Sequence, residues 1–465
     1  MQSPDAADIL ARLDRLPPSR TMWKLVLLLS LGAYFEIYDL MMTAYVSPGL
    51  IRAGIFAEGA QAAFGLSDQA AFASSTFAGL FVGTICLGSV ADRFGRRAIF
   101  TWALLWYAAA TLVMGMQSSA GAIFLWRFVA GLGLGVEMVT IDTYVAELVN
   151  RSVRAKAFAL SQGIMFLAVP TVAFLSWILI PHRPLGIEGW RWVVFVPVGG
   201  ALAVWWIRRA IPESPRWLAQ HGRLDQAGAV LAAMEARVER ELGRALPALE
   251  PLVPAAIQTK PGQGSFSDIF RPPHRKRAIL LAIFNFFQTI GFYGFGNWVP
   301  KLVAAQGVSV TSSMLYAALI ALAFPVGPLL FTLFADRFEL KWQAVAAALG
   351  TASFGLMFAV TRAPWAIIAL GIAITLSNNL LSFSYHAYQA EVFPTDIRAR
   401  AVGFVYSFSR LSTIFTSFLI GYLSAQFGNP GVFAFIAVSM GVAAAAIGAC
   451  PPTRGRSLEQ LGAPA

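Results

Sequence analysis

Gly88-Ser89-Val90-Ala91-Asp92-Arg93-Phe94-Gly95-Arg96-Arg97 is the stretch on which the fold of this chain turns. Its central pair returns as Asp336-Arg337, Ala146-Glu147 returns as Ala390-Glu391, and Arg154-Ala155-Lys156-Ala157 returns as Arg398-Ala399-Arg400-Ala401. The three recurrences share one offset of 244 residues (92 to 336, 147 to 391, 154 to 398). Each charged tag closes a long apolar run. The pattern predicts an all-α membrane protein of twelve transmembrane helices in two pseudo-symmetric six-helix halves, an arrangement typical of secondary transporters.

Composition points the same way. The chain has 465 residues, 57% of them hydrophobic and 13% charged, against roughly 25% charged in soluble domains. Apolar runs long enough for a ~30 Å hydrocarbon core fall near 23–46, 70–91, 98–117, 121–146, 156–180, 190–211, 278–304, 312–335, 342–360, 364–389, 401–425 and 430–450. They divide the chain into a first half (1–211), a central polar loop (212–277), a second half (278–450) and a tail (451–465). Leu224, Ala227, Val230, Leu231 and Met234 recur at near-helical spacing in that loop, so short amphipathic helices are expected there, acting as a tether or as a latch between the halves.

The net charge of +11 is placed as a topology signal. Lys and Arg crowd the loops that lie inside when both termini are cytoplasmic, which follows the positive-inside rule and argues against nucleic acid. Expected surroundings are therefore the lipid bilayer of the cell inner membrane, with the protein as a monomer. Cys86 and Cys450 and the scattered histidines at 182, 221, 274 and 386 offer neither a disulfide framework nor metal-ligand spacing. No nucleophile, metal or cofactor motif is found, so no enzyme activity and no cofactor are expected.

Residues 88–97 fill every defining position of G-x-x-x-D-R-x-G-R-R and on that basis resemble the major facilitator superfamily. Pro212-Glu213-Ser214-Pro215-Arg216-Trp217-Leu218 and Pro451-Pro452-Thr453-Arg454-Gly455-Arg456-Ser457-Leu458-Glu459 look like tags of its sugar-porter branch, shared with organic-ion and metabolite:proton symporters. Pro452 stands where the second tag has Glu. The resemblance implies a cytoplasmic gate of paired charges between the halves: Asp92, Arg93, Arg96, Arg97, Asp142, Glu147, Arg154, Glu213 and Arg216 in the first, Asp336, Arg337, Glu391, Arg398 and Arg454 in the second.

Ionisable residues inside the expected helices cost about 3 kcal/mol each at mid-bilayer, so they carry functional expectations. Glu36 and Asp39 lie about 60° apart and roughly 4.5 Å along one helix. Two carboxylates that close raise one another's proton affinity, which suits a proton carrier. Arg127 opens Arg127-x-x-x-Gly131-x-Gly133-x-Gly135, similar to the superfamily's helix-four motif, and is expected to pair with Asp39 and release it on protonation. Glu137 is a second proton-site candidate or a structural partner. Arg410 offers a guanidinium fork for a carboxylate, with a salt bridge to another helix as the plainer reading. Asn378, Tyr385, His386 and Gln389 on one helix, Asn285, Gln288, Tyr293, Asn297 and Trp298 on a glycine-broken one, and Gln162 complete the expected substrate site. The expected function is proton-coupled symport of a small organic anion, a carboxylate, by alternating access; that it is aromatic is implied by the resemblance of Arg410 and of residues 292–300 to aromatic-acid symporters and nicotinate carriers. The alternatives are a sugar or polyol symporter and an antiport exporter of the same fold.

Overall fold

The computed structural model describes residues 6–57, 61–62, 66–87, 96–148, 154–208, 211–247, 266–272, 274–331, 338–393 and 397–453. The first half consists of α1 (Ala6–Asp14), α2 (Arg20–Arg52), α3 (Asp68–Leu87), α4 (Arg96–Gly115), α5 (Ala120–Leu148), α6 (Arg154–Phe166), α7 (Ala168–Leu179) and α8 (Gly189–Arg208). Two two-residue strands, Gln61–Ala62 and Leu66–Ser67, pair between α2 and α3. The central segment contributes α9 (Pro215–Gln220) and α10 (Leu224–Leu242). The second half holds α11 (His274–Gly296), α12 (Val299–Ala304), α13 (Val310–Ala321), α14 (Ala323–Phe331), α15 (Leu340–Val360), α16 (Pro364–Val392) and α17 (Arg398–Gly448).

Helix positions repeat with the tags. Residues 96 and 340 open α4 and α15, 120 and 364 open α5 and α16, and 154 and 398 open α6 and α17, again 244 apart. Seven stretches among the described residues are long and apolar enough to cross a bilayer. One of them, Arg400–Gly448, holds two crossings, because Gly428 at φ 62°, ψ −159° ends one helical arm and Pro430 begins the next. With α3, α4, α5 and α8 the described residues supply twelve crossings, six per half. Three crossings are interrupted for legible reasons. Pro170 lacks the N–H that would bond Phe166, and the helix breaks at Leu167. Pro325 does the same to Ala321, with the break at Leu322. Pro300 follows the break between α11 and α12 at Asn297-Trp298.

Within the first half α3 and α5 approach until their backbones touch. A Cβ on Gly79 would lie 2.1 Å from the Phe128 carbonyl oxygen, and one on Gly131 2.5 Å from that of Thr76. Only glycine permits this approach, which brings Thr76 beside Arg127. The halves meet along two seams. Phe166 on α6 faces Phe324 on α14 at 5.8 Å between ring centroids, and Phe77 on α3 faces Tyr293 on α11 at 5.0 Å. The second seam is tightest where α3 begins: a Cβ on Gly421 would sit 2.7 Å from the Cβ of Ala70.

A second apolar core lies at the opposite end, under α1, α9 and α10, where Ile9, Leu13, Trp217, Leu231 and Val238 are buried together. Arg12 donates to Glu235 from Nε and Nη2 at 3.2 and 2.7 Å, and Arg15 from Nη2 at 2.7 Å. Burial opposes the ionisation of Glu235, but the two guanidiniums outweigh it and hold its carboxyl below the usual range. Arg216 pairs with Asp14 at 2.8 Å, and Thr21 donates its N–H and hydroxyl to Glu241. These ion pairs and hydrogen bonds tie α9 and α10 to the first half, where the sequence left open a tether or a latch between halves. The N-terminal helix α1 that receives it was not anticipated.

Candidate functional site

Arg127 is fully buried on α5, and all three of its guanidinium nitrogens are engaged. Nη1 donates to Asp39 Oδ2 at 2.6 Å, Nε to the hydroxyls of Thr76 and Thr43 at 2.9 and 3.2 Å, and Nη2 to Thr43 at 2.8 Å and to the Asp39 carbonyl. Thr111 on α4 donates to the other carboxylate oxygen, Asp39 Oδ1, at 2.8 Å. The ring of Phe72 lies 5.7 Å from the guanidinium carbon. Four helices thus enclose one ion pair with side-chain exposures of 0% and 4%. An ion pair at such depth is stable only while both charges persist; removing one partner costs about 3–5 kcal/mol. Thr43 follows Asp39 by one turn and was within reach of sequence reasoning, whereas Thr76 and Thr111 come from helices whose approach only the fold reveals.

The two acids of α2 are claimed by different groups. Asp39 is bonded by Arg127 and Thr111, while Glu36 is buried one turn earlier on α2, within range of Arg410 and Tyr293 of the second half.

Arg410 lies half-buried on the first arm of α17. Its Nη2 donates to the Tyr406 hydroxyl at 3.2 Å, and its guanidinium carbon is 5.0 Å from the centre of that ring. Tyr293 and Tyr385 lie within its electrostatic reach. The His386 ring lies 4.1 Å from that of Tyr385 and 5.6 Å from that of Tyr406 between centroids, tilted against both, yet remains exposed. The result is a cation set among flat rings. Tyr406, one turn before Arg410, was missed, although the i, i+4 relation to Arg410 was there to be read.

The amides expected at the substrate site are largely engaged in holding helices. Asn285 donates to the carbonyl of Leu281 at 2.8 Å and accepts from Gln389 at 3.5 Å. Asn378 bridges Thr351 of α15 and the Gly291 carbonyl of α11 at 3.1 and 3.3 Å. Gln288 is buried and donates to Thr289 at 3.0 Å. Asn297 and Trp298 are buried at the α11–α12 break, with Lys301 Nζ 5.0 Å from the Trp298 ring centre. Gln162 is half-buried on α6. Asn378 and the Asn285–Gln389 pair thus bridge helices, while Asn285 and Gln288 also bond within α11, as buried amides seek partners.

Of the expected gate, Asp92, Arg93, Asp336, Arg337 and Arg454 lie outside the described residues, as do the side chains of Arg96, Arg97, Asp142, Glu147, Arg154 and Arg398, and that of Glu137. Arg216 binds Asp14 within its own half, Glu213 accepts from the Ser214 N–H at the start of α9, and Glu391 is exposed.

Residues 25–463 match the model of the family described as sugar (and other) transporter. The chain belongs to that family, within the sugar-porter branch of the major facilitator superfamily, and is a multi-pass membrane transporter rather than an enzyme. It is 32% identical over 425 residues to YyaJ of Bacillus subtilis (strain 168), provisionally named a metabolite transport protein, with 91% of each chain covered. It is 26% identical over 460 residues to the niacin transporter NiaP of Acinetobacter baylyi (strain ATCC 33305 / BD413 / ADP1), covering 98% of this chain and all of that one. Among solved structures it resembles the xylose transporter XylE from E. coli in a partially occluded inward open conformation, with TM-score 0.72, 18% identity, and 94% and 99% of the two chains covered. At that identity the likeness concerns the fold.

Proposed function

We propose that this transporter carries a small aromatic carboxylate together with protons across the inner membrane, by rocking its two halves (1–211 and 278–450) around a central site. The observation that supports this most is the setting of Arg410, a half-buried guanidinium ringed by Tyr406, Tyr385, Tyr293 and His386. A guanidinium holds both oxygens of a carboxylate at once, and flat aromatic rings favour a flat aromatic body. Glu36 balances Arg410 when cargo is absent, and the incoming carboxylate takes over that role. A name given to the relative NiaP points to the same chemistry, since niacin is an aromatic carboxylate.

The coupling step lies at Asp39. A proton arriving on Oδ2 cancels the carboxylate charge, and Arg127 then keeps only its neutral acceptors on Thr43, Thr76 and the Asp39 carbonyl. The buried guanidinium gains by regaining a charged partner, so protonation and rearrangement of the halves are linked. Asn285, Gln389 and Asn378 serve helix contacts in this reading, which weighs against a sugar site built from amides. The protein acts as a monomer with both termini in the cytoplasm, and α9 and α10 cap its first half.

The reading is tested by uptake into proteoliposomes of labelled nicotinate and benzoate against glucose and xylose, with and without an inward proton gradient. Nicotinate or benzoate should accumulate only with the gradient, and Arg410→Ala should abolish this while the protein stays folded. Sugar accumulation would favour the sugar porter; anion efflux driven by the same gradient would make it an exporter.

A further inference from the structure

Where α2 leaves the helical cap, a groove of about 510 Å³ lies between α2 and α10. Lys24 lines it from α2, and Arg237 and Arg240 line it from α10. The two arginines are three residues apart and share one helix face; Lys24 and Leu28 are four apart and share another. All three cations are exposed. Its one acid, Glu241, accepts from the N–H and hydroxyl of Thr21 and keeps its charge within range of Lys24, which leaves the groove cationic on balance; Arg240 uses only Nε on the Ala236 carbonyl, at 3.1 Å. The floor is apolar, formed by Leu25 and Leu28.

The place of this groove matters as much as its charge. Leu27, 44% exposed, already faces outward in the apolar run of α2, and Trp23 sits half-buried one turn earlier. Aromatic residues of this kind mark the level of lipid headgroups. Cations therefore stand at headgroup height, and the apolar floor continues toward the hydrocarbon. A free phosphate would use the first feature and waste the second.

We propose that this groove binds the headgroup of an anionic phospholipid, its phosphate held by Lys24, Arg237 and Arg240 and its first acyl methylenes laid along Leu28. The lipid ties α10 to the membrane end of α2, so the cap that α1 and α10 form is steadied by the leaflet beside it. The inference needs α2 to enter the bilayer at Trp23, but not any particular transported solute. Each basic side chain near an anionic surface contributes about five-fold in affinity, so three together contribute on the order of a hundred-fold.

The test uses the purified full-length protein in phosphatidylcholine nanodiscs titrated with phosphatidylglycerol. Retained lipid is counted by native mass spectrometry, and thermal unfolding is followed in parallel. The wild type should retain one phosphatidylglycerol and unfold at higher temperature with it. Lys24→Gln/Arg237→Gln/Arg240→Gln should weaken retention on the order of a hundred-fold, and each single change about five-fold, which preserves the test if the triple variant folds poorly. Arg271→Gln/Arg275→Gln/Lys276→Gln removes the same charge elsewhere and should leave retention within about two-fold. Equal losses in both triple variants, no preference of the wild type for phosphatidylglycerol, or an unfolding shift reproduced by inorganic phosphate alone would each overturn the proposal.

Discussion

Asp39→Asn probes the buried ion pair with the smallest possible change. Shape is kept, and so are the Asp39 carbonyl and the hydroxyls of Thr43 and Thr76 that Arg127 also uses. Lost is the negative charge opposite Nη1, at 2.6 Å. Breaking a buried pair from one side costs about 3–5 kcal/mol, and the surviving acceptors place this variant near the lower figure, ~3 kcal/mol. Thermal unfolding should fall accordingly. The transport consequence is sharper. A side chain that is permanently neutral copies protonated Asp39, so exchange of labelled for unlabelled anion continues. Accumulation driven by pH does not. One pH unit is worth 1.36 kcal/mol, or tenfold, so with one proton per monoanion the wild type should reach about tenfold accumulation under that gradient, and the variant should stay near equality. A variant that still accumulates tenfold would refute the assignment of the proton to Asp39.

Tyr406→Phe removes the hydroxyl 3.2 Å from Arg410; a loss of about 0.5–1.5 kcal/mol should raise the half-saturating anion concentration several-fold with little change in maximal rate, and an unchanged value would remove Tyr406 from the site. Gly131→Ala drives a methyl into the Thr76 carbonyl and should cost about 1–3 kcal/mol by overpacking, whereas Gly121→Ala, with open space around it, should be neutral in thermal unfolding; equal effects would contradict the close α3–α5 contact. Glu235 is held below the ordinary carboxyl range by Arg12 and Arg15 against the opposing effect of burial, so its stabilisation is full above the unfolded value of about 4.3 and is lost as pH falls through the lower folded value. Hydrogen-exchange protection of Ala6–Asp14 should therefore persist from pH 7 to about 5 and decline below about 4, while Glu235→Gln should lose it at pH 7; protection that ignores both changes would show that the apolar contacts of α1 suffice alone.

The fold was legible because lipid enforces it. Charged tags at a fixed offset and apolar runs of membrane length placed the helix starts at 96, 120, 154, 340, 364 and 398 within a few residues of those observed. Arg127 and Asp39 were legible as partners through the resemblance of the helix-four motif, in which such an Arg faces the helix-one acid. What escaped was tertiary. Nothing local in Thr76 or Thr111 says that its helix will come to rest against an ion pair. The roles of the polar residues on α11 and α16 are not legible for the converse reason: Asn285 and Asn378 look alike in sequence whether they meet a substrate or a backbone carbonyl. The helix α1 was overlooked because a short amphipathic segment gains stability only from the α10 surface it covers.

The central claim is that anion and proton enter together, and it can be measured with a pH-sensitive dye trapped in proteoliposomes clamped at zero membrane potential. Adding nicotinate outside should acidify the lumen of wild-type vesicles with one proton per anion taken up, well above the signal of Arg410→Ala and Asp39→Asn vesicles, which report passive leak. Nicotinate uptake with no proton movement beyond those two controls would contradict it.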